Sequence, residues 1–282
     1  LFAEEAVYRG TLLPSVNWGV SRDAGVAETP VDWDHIELRL DEAVLDEAGA
    51  RALGIDVGDF IACDSRPEVL DSDFIVGRNI DNKAGVAAVL TAIRRVVQQQ
   101  LPLPNDTYFL FTVTETVGSG AGSAILPEVS ELVTVDFASI PASEALSFET
   151  VTIASGDAAG PYDWHLTNHL QKIAEDSRVP YQRRVLPASH NDAAAALAAG
   201  HDVRTAVIAY AGDATHSVER AHFKSLENMV ELLIAYVCSA PTFSHDTSTT
   251  TVSKFPHQID TDGLPATTRE TLDAGVLIRR NR

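Results

Sequence analysis

Val203-Arg204-Thr205-Ala206-Val207-Ile208-Ala209-Tyr210 is of strand length and rich in β-branched residues, the composition that suits a pleated, packed surface. Further on, Leu226 to Val237 carries its apolar residues at helical spacing. The same texture reaches back to about residue 72. Ala84 to Gln99 places Val86, Leu90, Ile93, Val96 and Val97 at helical spacing, and Thr107 to Val113 is a continuous apolar run of strand length. Leu132 to Val135 and Thr150 to Ala154 read as further strands, Trp164 to Ser177 as an amphipathic helix, and Ala193 to Ala199 as a core helix. Strands interleaved with helices predict an α/β fold, a three-layer αβα sandwich with a mostly parallel sheet. Ligands of such sheets bind at the carboxyl ends of the strands.

The flanking regions differ. His35-Ile36-Glu37-Leu38-Arg39-Leu40 alternates polar and apolar, Ala43 to Leu53 reads as a short helix ended by Gly54, and Asp56 to Ala62 reads as a turn into another strand. This β-rich material predicts part of a barrel. After Phe243 the chain turns polar, with Ser244-His245-Asp246-Thr247-Ser248-Thr249-Thr250-Thr251, so 244–282 reads as a disordered tail. The boundaries expected are therefore 1–70, 71–243 and 244–282.

Of the 282 residues, 40 are acidic and 21 basic, a formal net charge of −19. That excess repels nucleic-acid phosphates and argues against such a partner. No apolar run approaches the ~20 residues that span a bilayer, so no membrane role is expected. Cys63 and Cys238 are too few for a disulfide framework, which favours a reducing, cytoplasmic compartment.

Four residues stand where predicted strands end. Asp81 follows Ile80 ahead of a helix, Glu115 lies just past Val113, Asp136 ends the strand Leu132–Val135, and His216 lies six residues beyond Tyr210. Together they would converge on one rim of the sheet. Carboxylates and imidazole suit Zn, Co or Mn, and a bridging Asp could hold two ions ~3.5–4 Å apart. Singly, each has an ordinary explanation: an Asp before a helix is usually its N-cap, and a loop His is usually solvated.

Other patterns carry less. Gly118-Ser119-Gly120-Ala121-Gly122-Ser123 with Asp136 imitates a dinucleotide-binding turn, but Thr114 to Val117 intervene and Ser123 takes the third glycine position. His165 and His169 have the helical spacing of a metal face, yet Leu166 stands where a zincin has Glu, so a solvated face or subunit contact is the better reading. Ser189-His190-Asn191-Asp192 lacks the Gly-x-Ser-x-Gly elbow of a serine hydrolase.

Four motifs occur in a telling order: Gly77-Arg78-Asn79-Ile80-Asp81-Asn82-Lys83-Ala84-Gly85, Phe111-Thr112-Val113-Thr114-Glu115-Thr116-Val117-Gly118-Ser119-Gly120-Ala121, Val135-Asp136, and Ala214-Thr215-His216-Ser217. In these the chain resembles the dinuclear metallo-aminopeptidases of the glutamyl-aminopeptidase/endoglucanase-M type, whose members form tetrahedral assemblies. The resemblance runs from about Tyr8 to Phe243. It looks closest to the branch associated with the osmoprotectant N-acetylglutaminylglutamine amide, through Pro30-Val31-Asp32-Trp33-Asp34, Gly160-Pro161-Tyr162-Asp163 and His216 to His222.

The resemblance implies that residues 1–70 are part of an inserted β-barrel domain and that 71–243 form the catalytic domain. Asp81 would bridge two divalent metal ions, zinc first, with cobalt or manganese as alternatives. Asp136 would be a terminal ligand of one ion and His216 of the other. Glu115 would be the general base that deprotonates the attacking water. Asn191-Asp192 matches a stretch near the family's substrate pocket. The implied activity is release of the N-terminal residue of a peptide, or cleavage of a small peptide-like amide, by a homo-oligomer whose sites face an inner cavity.

Two departures accompany the matches. Thr116 stands where the family has a second, metal-ligating Glu. The family's early His-x-Asp is also missing, since the sequence opens inside what resembles the barrel; His35-Ile36-Glu37 only imitates it. An N-terminally incomplete chain is expected on this ground. The alternative reading is a catalytically silent homologue that serves as a binding or assembly protein.

Overall fold

The computed structural model describes residues 1–15, 29–30, 32–140 and 148–243; the tail expected over 244–282 lies outside the described residues. The chain divides into two compact units, Leu1–Arg66 and Pro67–Arg282.

In the first unit, β1 (Gly10–Pro14) pairs antiparallel with β2 (Ile36–Leu40), with Leu12 opposite Leu38. Helix α1 (Glu47–Ala52) starts later than its apolar spacing suggests, because Asp46 caps it by accepting from Gly49 N. The strand expected over Asp56–Ala62 is not formed; those residues turn and make a single bridge, Phe60 to Phe2, where the two rings stack at 4.8 Å. Among the described residues this unit is a two-stranded ribbon with a helix, and no barrel closes.

The second unit runs β3 (Glu68–Val69), β4 (Phe74–Gly77), α2 (Ile80–Gln98), β5 (Glu131–Ser139), β6 (Val151–Asp157), α3 (Trp164–Asp176), β7 (Tyr181–Leu186), α4 (Asp192–Ala198), β8 (Arg204–Asp213), β9 (Glu219–His222) and α5 (Phe223–Val237). Its sheet has the order β3-β4-β9-β8-β6-β7, with β5 on the other side of β8. The apolar run that reads as a strand from sequence is β8, buried from Thr205 to Gly212. Side chains alternate across it. Ala206, Ile208 and Tyr210 enter one core with α2, α3 and α5, while Val207 and Ala209 enter a second with Tyr162, Leu186 and Ala193 of α4. Helices on both faces of a sheet make the three-layer α/β sandwich expected.

The sheet is mixed, which corrects the expectation of mostly parallel strands. Among the described residues, β5–β8 and β6–β7 run parallel, while β3–β4, β4–β9, β8–β9 and β6–β8 are antiparallel. The short β9 was hidden because its four residues follow directly on a turn and lead straight into α5. The strand expected over Thr107–Val113 is also corrected. Those residues belong to no ladder, and Tyr108, Leu110, Phe111 and Val113 stay exposed; an apolar run without a pairing partner is not a strand. Among the described residues, no helix is long and apolar enough to cross a membrane.

Candidate functional site

Two loops of the second unit meet at the end of β8. One links β4 to α2, the other β8 to β9. Asn79, Ala214 and His216 in these loops adopt left-handed backbone conformations, with φ of 60°, 60° and 64°. Non-glycine residues rarely do so, and they cluster where surrounding structure over-determines the backbone. Asp81 opens α2 without joining its regular geometry (φ −78°, ψ 106°), and the Asp81–Asn82 peptide is cis. The Tyr210 hydroxyl donates to Ile80 O at 2.7 Å, and Asn82 Nδ2 donates to Val135 O at 2.6 Å. The start of α2 is thus tied to both β8 and β5.

These ties bring Asp81 Oδ2 to 3.7 Å from His216 Nε2, with the Asp81 side chain 14% exposed and the His216 ring 73% exposed. Thr215 Oγ1 also donates to Asp81 Oδ2. Bonds of ~2.0–2.1 Å to one tetrahedral ion would separate two donors by roughly 3.4 Å, so this pair fits a shared cation. Among the described residues, though, no group of three or more His, Cys, Asp or Glu is gathered closely enough to hold a metal ion. Thr116, beside Glu115, is exposed and offers no carboxylate.

Asp136 is the sixth residue of β5, not the end of a strand as its sequence context suggests, because pairing with β8 continues to Ser139. Its Oδ1 accepts from Phe137 N at 2.7 Å. Glu115 opens a short 3-10 turn, Glu115–Val117. Both, with Asp81, Asp192 and His216, line a cavity of about 1510 Å³. Burial, and then the neighbouring Asp192 and Asp81 carboxylates, raise the Glu115 carboxyl above its ordinary value, with His216 opposing. Burial, then Asp81, hold the Asp136 carboxyl well above the carboxylate range. A cation here would relieve both. The four residues read from sequence therefore share one electrostatic environment, although only Asp81 and His216 stand at ion-pair distance.

Two other carboxylates organise this site. Asp192, at the start of α4, accepts from Thr112 Oγ1 and Ala121 N, both at 2.7 Å. Glu219 of β9, 2% exposed, accepts from Asp81 N at 2.9 Å and His216 N at 3.1 Å. Sequence reasoning missed Glu219. No local signal marked it, because the four-residue β9 that carries it was itself hidden in the sequence.

The demoted patterns have structural roles. His169 Nε2 lies 3.1 Å from Ser239 Oγ, and His165 packs edge-on against Trp164 and Phe243. Gly118 to Ser123 form tight turns that open no long helix. His35 Nδ1 pairs with Asp32 at 2.5 Å in the first unit.

Residues 2–232 match the family model of the M42 glutamyl aminopeptidases. The chain is 38% identical over 238 residues to YhfE of Bacillus subtilis (strain 168), a candidate aminopeptidase, covering 84% of this chain and 68% of that protein. Its fold resembles an aminopeptidase of the archaeon Desulfurococcus kamchatkensis (TM-score 0.68, 19% identity, 86% of this chain and 68% of that one). It also resembles the Pyrococcus horikoshii TET1 peptidase (TM-score 0.65, 21% identity, 79% and 66%), which assembles into a tetrahedron or a large octahedral shell.

Proposed function

The chain belongs to the M42 glutamyl aminopeptidase family, and on that premise we propose that it is a metal-dependent aminopeptidase-type hydrolase acting on the N-terminal residue of a peptide or on a small peptide-like amide. The observation that carries this reading is the apposition of Asp81 and His216 at 3.7 Å on the rim of the cavity that Glu115 and Asp136 also line. Asp81 and His216 would hold one divalent cation, with Asp81 shared to a second beside Asp136; zinc is the first choice, cobalt or manganese the alternatives. The cations supply Lewis acidity toward a scissile carbonyl and lower the pKa of bound water.

The chain's own residues do the rest. Glu115 takes the proton of the attacking water and returns it to the leaving amine, which suits a carboxyl whose proton affinity the site has raised. Asp136 and Asp81 would supply oxygen donors where the cations and a substrate's ammonium group arrive. Assembly into a closed homo-oligomer, as in the Pyrococcus relative, would direct the cavity inward. A cytoplasmic location and the osmoprotectant-associated branch complete the proposal.

The test is hydrolysis of aminoacyl-anilides by the purified protein with and without Zn, Co or Mn, alongside elemental analysis. Metal-dependent turnover that Glu115→Gln abolishes supports the reading. Bound metal with no turnover, persisting in Thr116→Glu, supports the catalytically silent reading instead. No metal and no turnover overturns the hydrolase assignment.

A further inference from the structure

We infer that Glu219 is the positioning residue of this site: one buried carboxylate that holds the backbone of both Asp81 and His216, and so sets the separation of the donors they present. This deepens the proposed function and rests on the reading that Asp81 and His216 hold a cation.

A glutamate 2% exposed needs compensation, because carboxylates are almost never fully buried without partners. Among the described residues Glu219 has two, both of them backbone N–H groups. Oε1 accepts from His216 N at 3.1 Å and Oε2 from Asp81 N at 2.9 Å. The contact with His216 spans three residues and by itself would be a turn cap. The contact with Asp81 spans 138, which turn geometry does not explain. It ties the β4–α2 loop to the β8–β9 loop through one side chain.

The strand register puts Glu219 in place for this. It pairs with Gly77, the last residue of β4, while Gly212 of β8 pairs with Ala221 on the other side. Both loops therefore leave the sheet next to Glu219. Asn79 and His216 are left-handed there, so neither loop holds its shape by ordinary backbone preference. The first turn of α2 has no side-chain cap from Asn79, and the Asp81 amide takes its acceptor from a remote strand. The resulting order is strand, buried carboxylate, two amides, two donors. Partners that orient metal ligands in this way typically govern 10–100-fold in metal affinity.

The experiment is zinc titration of the metal-free protein by calorimetry, repeated with Co²⁺ and its visible absorption. Glu219→Gln keeps the volume but sets an amide NH₂ against one of the two N–H donors. The expected result is a 10–100-fold weaker zinc affinity and an altered cobalt spectrum, with the strands still folded by circular dichroism. Glu227→Gln, an exposed carboxylate on α5, is expected to match wild type. Glu219→Gln binding zinc within threefold of wild type, with an unchanged spectrum, overturns the inference while leaving the hydrolase reading intact. Wild type that binds neither ion overturns both. If Glu219→Gln does not fold, hydrogen exchange of metal-free wild type decides: slow Asp81 and His216 amides support the clamp, and exchange at surface-loop rates overturns it.

Discussion

Thr112 donates its hydroxyl hydrogen to Oδ2 of Asp192 at 2.7 Å, across 80 residues of chain. The other Asp192 oxygen accepts from Ala121 N at 2.7 Å. The segment Thr112–Ala121 is thereby pinned at both ends to the start of α4, with Glu115 between the pins. Asn191, just before, is itself locked by donating to Asp157 Oδ2 at 3.3 Å and Tyr162 Oη at 2.7 Å. Asp192→Ala removes both acceptors and leaves two donors unpaired, a cost of about 1–3 kcal/mol. Asp192→Asn retains Oδ1 for Ala121 N and should recover about half of that. Chemical denaturation of both variants measures it. Equal stability of the alanine and wild-type proteins would mean that Asp192 pins nothing.

Thr116 can be made a carboxylate. Since losing even an outer partner of a metal ligand costs 10–100-fold in affinity, a donor supplied at Thr116 should tighten zinc binding by roughly tenfold or more. Without metal the change works in reverse, because a third carboxylate joins the raised Glu115 and the nearby Asp81. The metal-free Thr116→Glu protein should melt below wild type and the zinc-loaded one above it. A variant whose melting temperature ignores zinc would place Thr116 away from any cation.

How much of this was legible in the sequence follows from how each residue is held. β8 and α5 could be read because burial imposes period and composition on them, and β8 is buried on both faces. Asp81, Glu115, Asp136 and His216 could be picked out as candidates because their motifs are local in sequence, and they line one cavity. Thr107–Val113 misled because a continuous apolar run fits a strand, a buried helix or the lining of a cavity equally well. Glu219 was illegible because its role is a hydrogen bond across 138 residues, and no local pattern encodes that. The direction of β9 and β4 in the sheet escaped for the same reason, since pairing is a tertiary fact.

The Asp136 carboxyl, held above the ordinary range by burial and then by Asp81, gives a pH dependence of definite sign. The folded state keeps a proton that the unfolded chain has lost, so raising the pH above about 4, the ordinary carboxylate value, takes stability away until the folded-state value is passed. Asp136→Asn cannot ionise and keeps the Oδ1 that accepts from Phe137 N. Without metal, the variant should gain stability over wild type as the pH rises from 4 to 8, and the gap should close toward pH 4. Zinc should close it as well. Denaturation midpoints at several pH values, with and without zinc, check this; a gap that widens on acidification would contradict it.

Tyr210 is buried and donates to Ile80 O at 2.7 Å. Tyr210→Phe keeps the ring packed edge-on at 5.3 Å from Phe137 and leaves the carbonyl before Asp81 without that donor. The expected loss is about 1 kcal/mol, with zinc affinity falling as the start of α2 loosens. Tyr236→Phe serves as the comparison, because its hydroxyl donates to Glu131 Oε2 at 2.8 Å, on α5 and away from the α2 start. It should lose similar stability but no affinity.

Gly212 is where β8 meets both β5 and β9, one residue before the strand ends. A Cβ there would lie 2.4 Å from the Phe137 ring and 2.6 Å from Arg220 O. The ring is buried against Tyr210 and the carbonyl belongs to β9, so neither can yield without moving the turn that presents His216. Gly212→Ala should therefore cost roughly 3 kcal/mol, the upper end of overpacking penalties, and weaken zinc binding together with stability. Gly122→Ala is the matched comparison. Its Cβ meets Ala195 O and the Ala199 Cβ no closer than 3.4 Å, ordinary contact, and its stability should stay within about 0.5 kcal/mol of wild type. Were Gly212→Ala as stable as Gly122→Ala, β9 would not be packed against β8 in the register that brings Glu219 beneath Asp81 and His216.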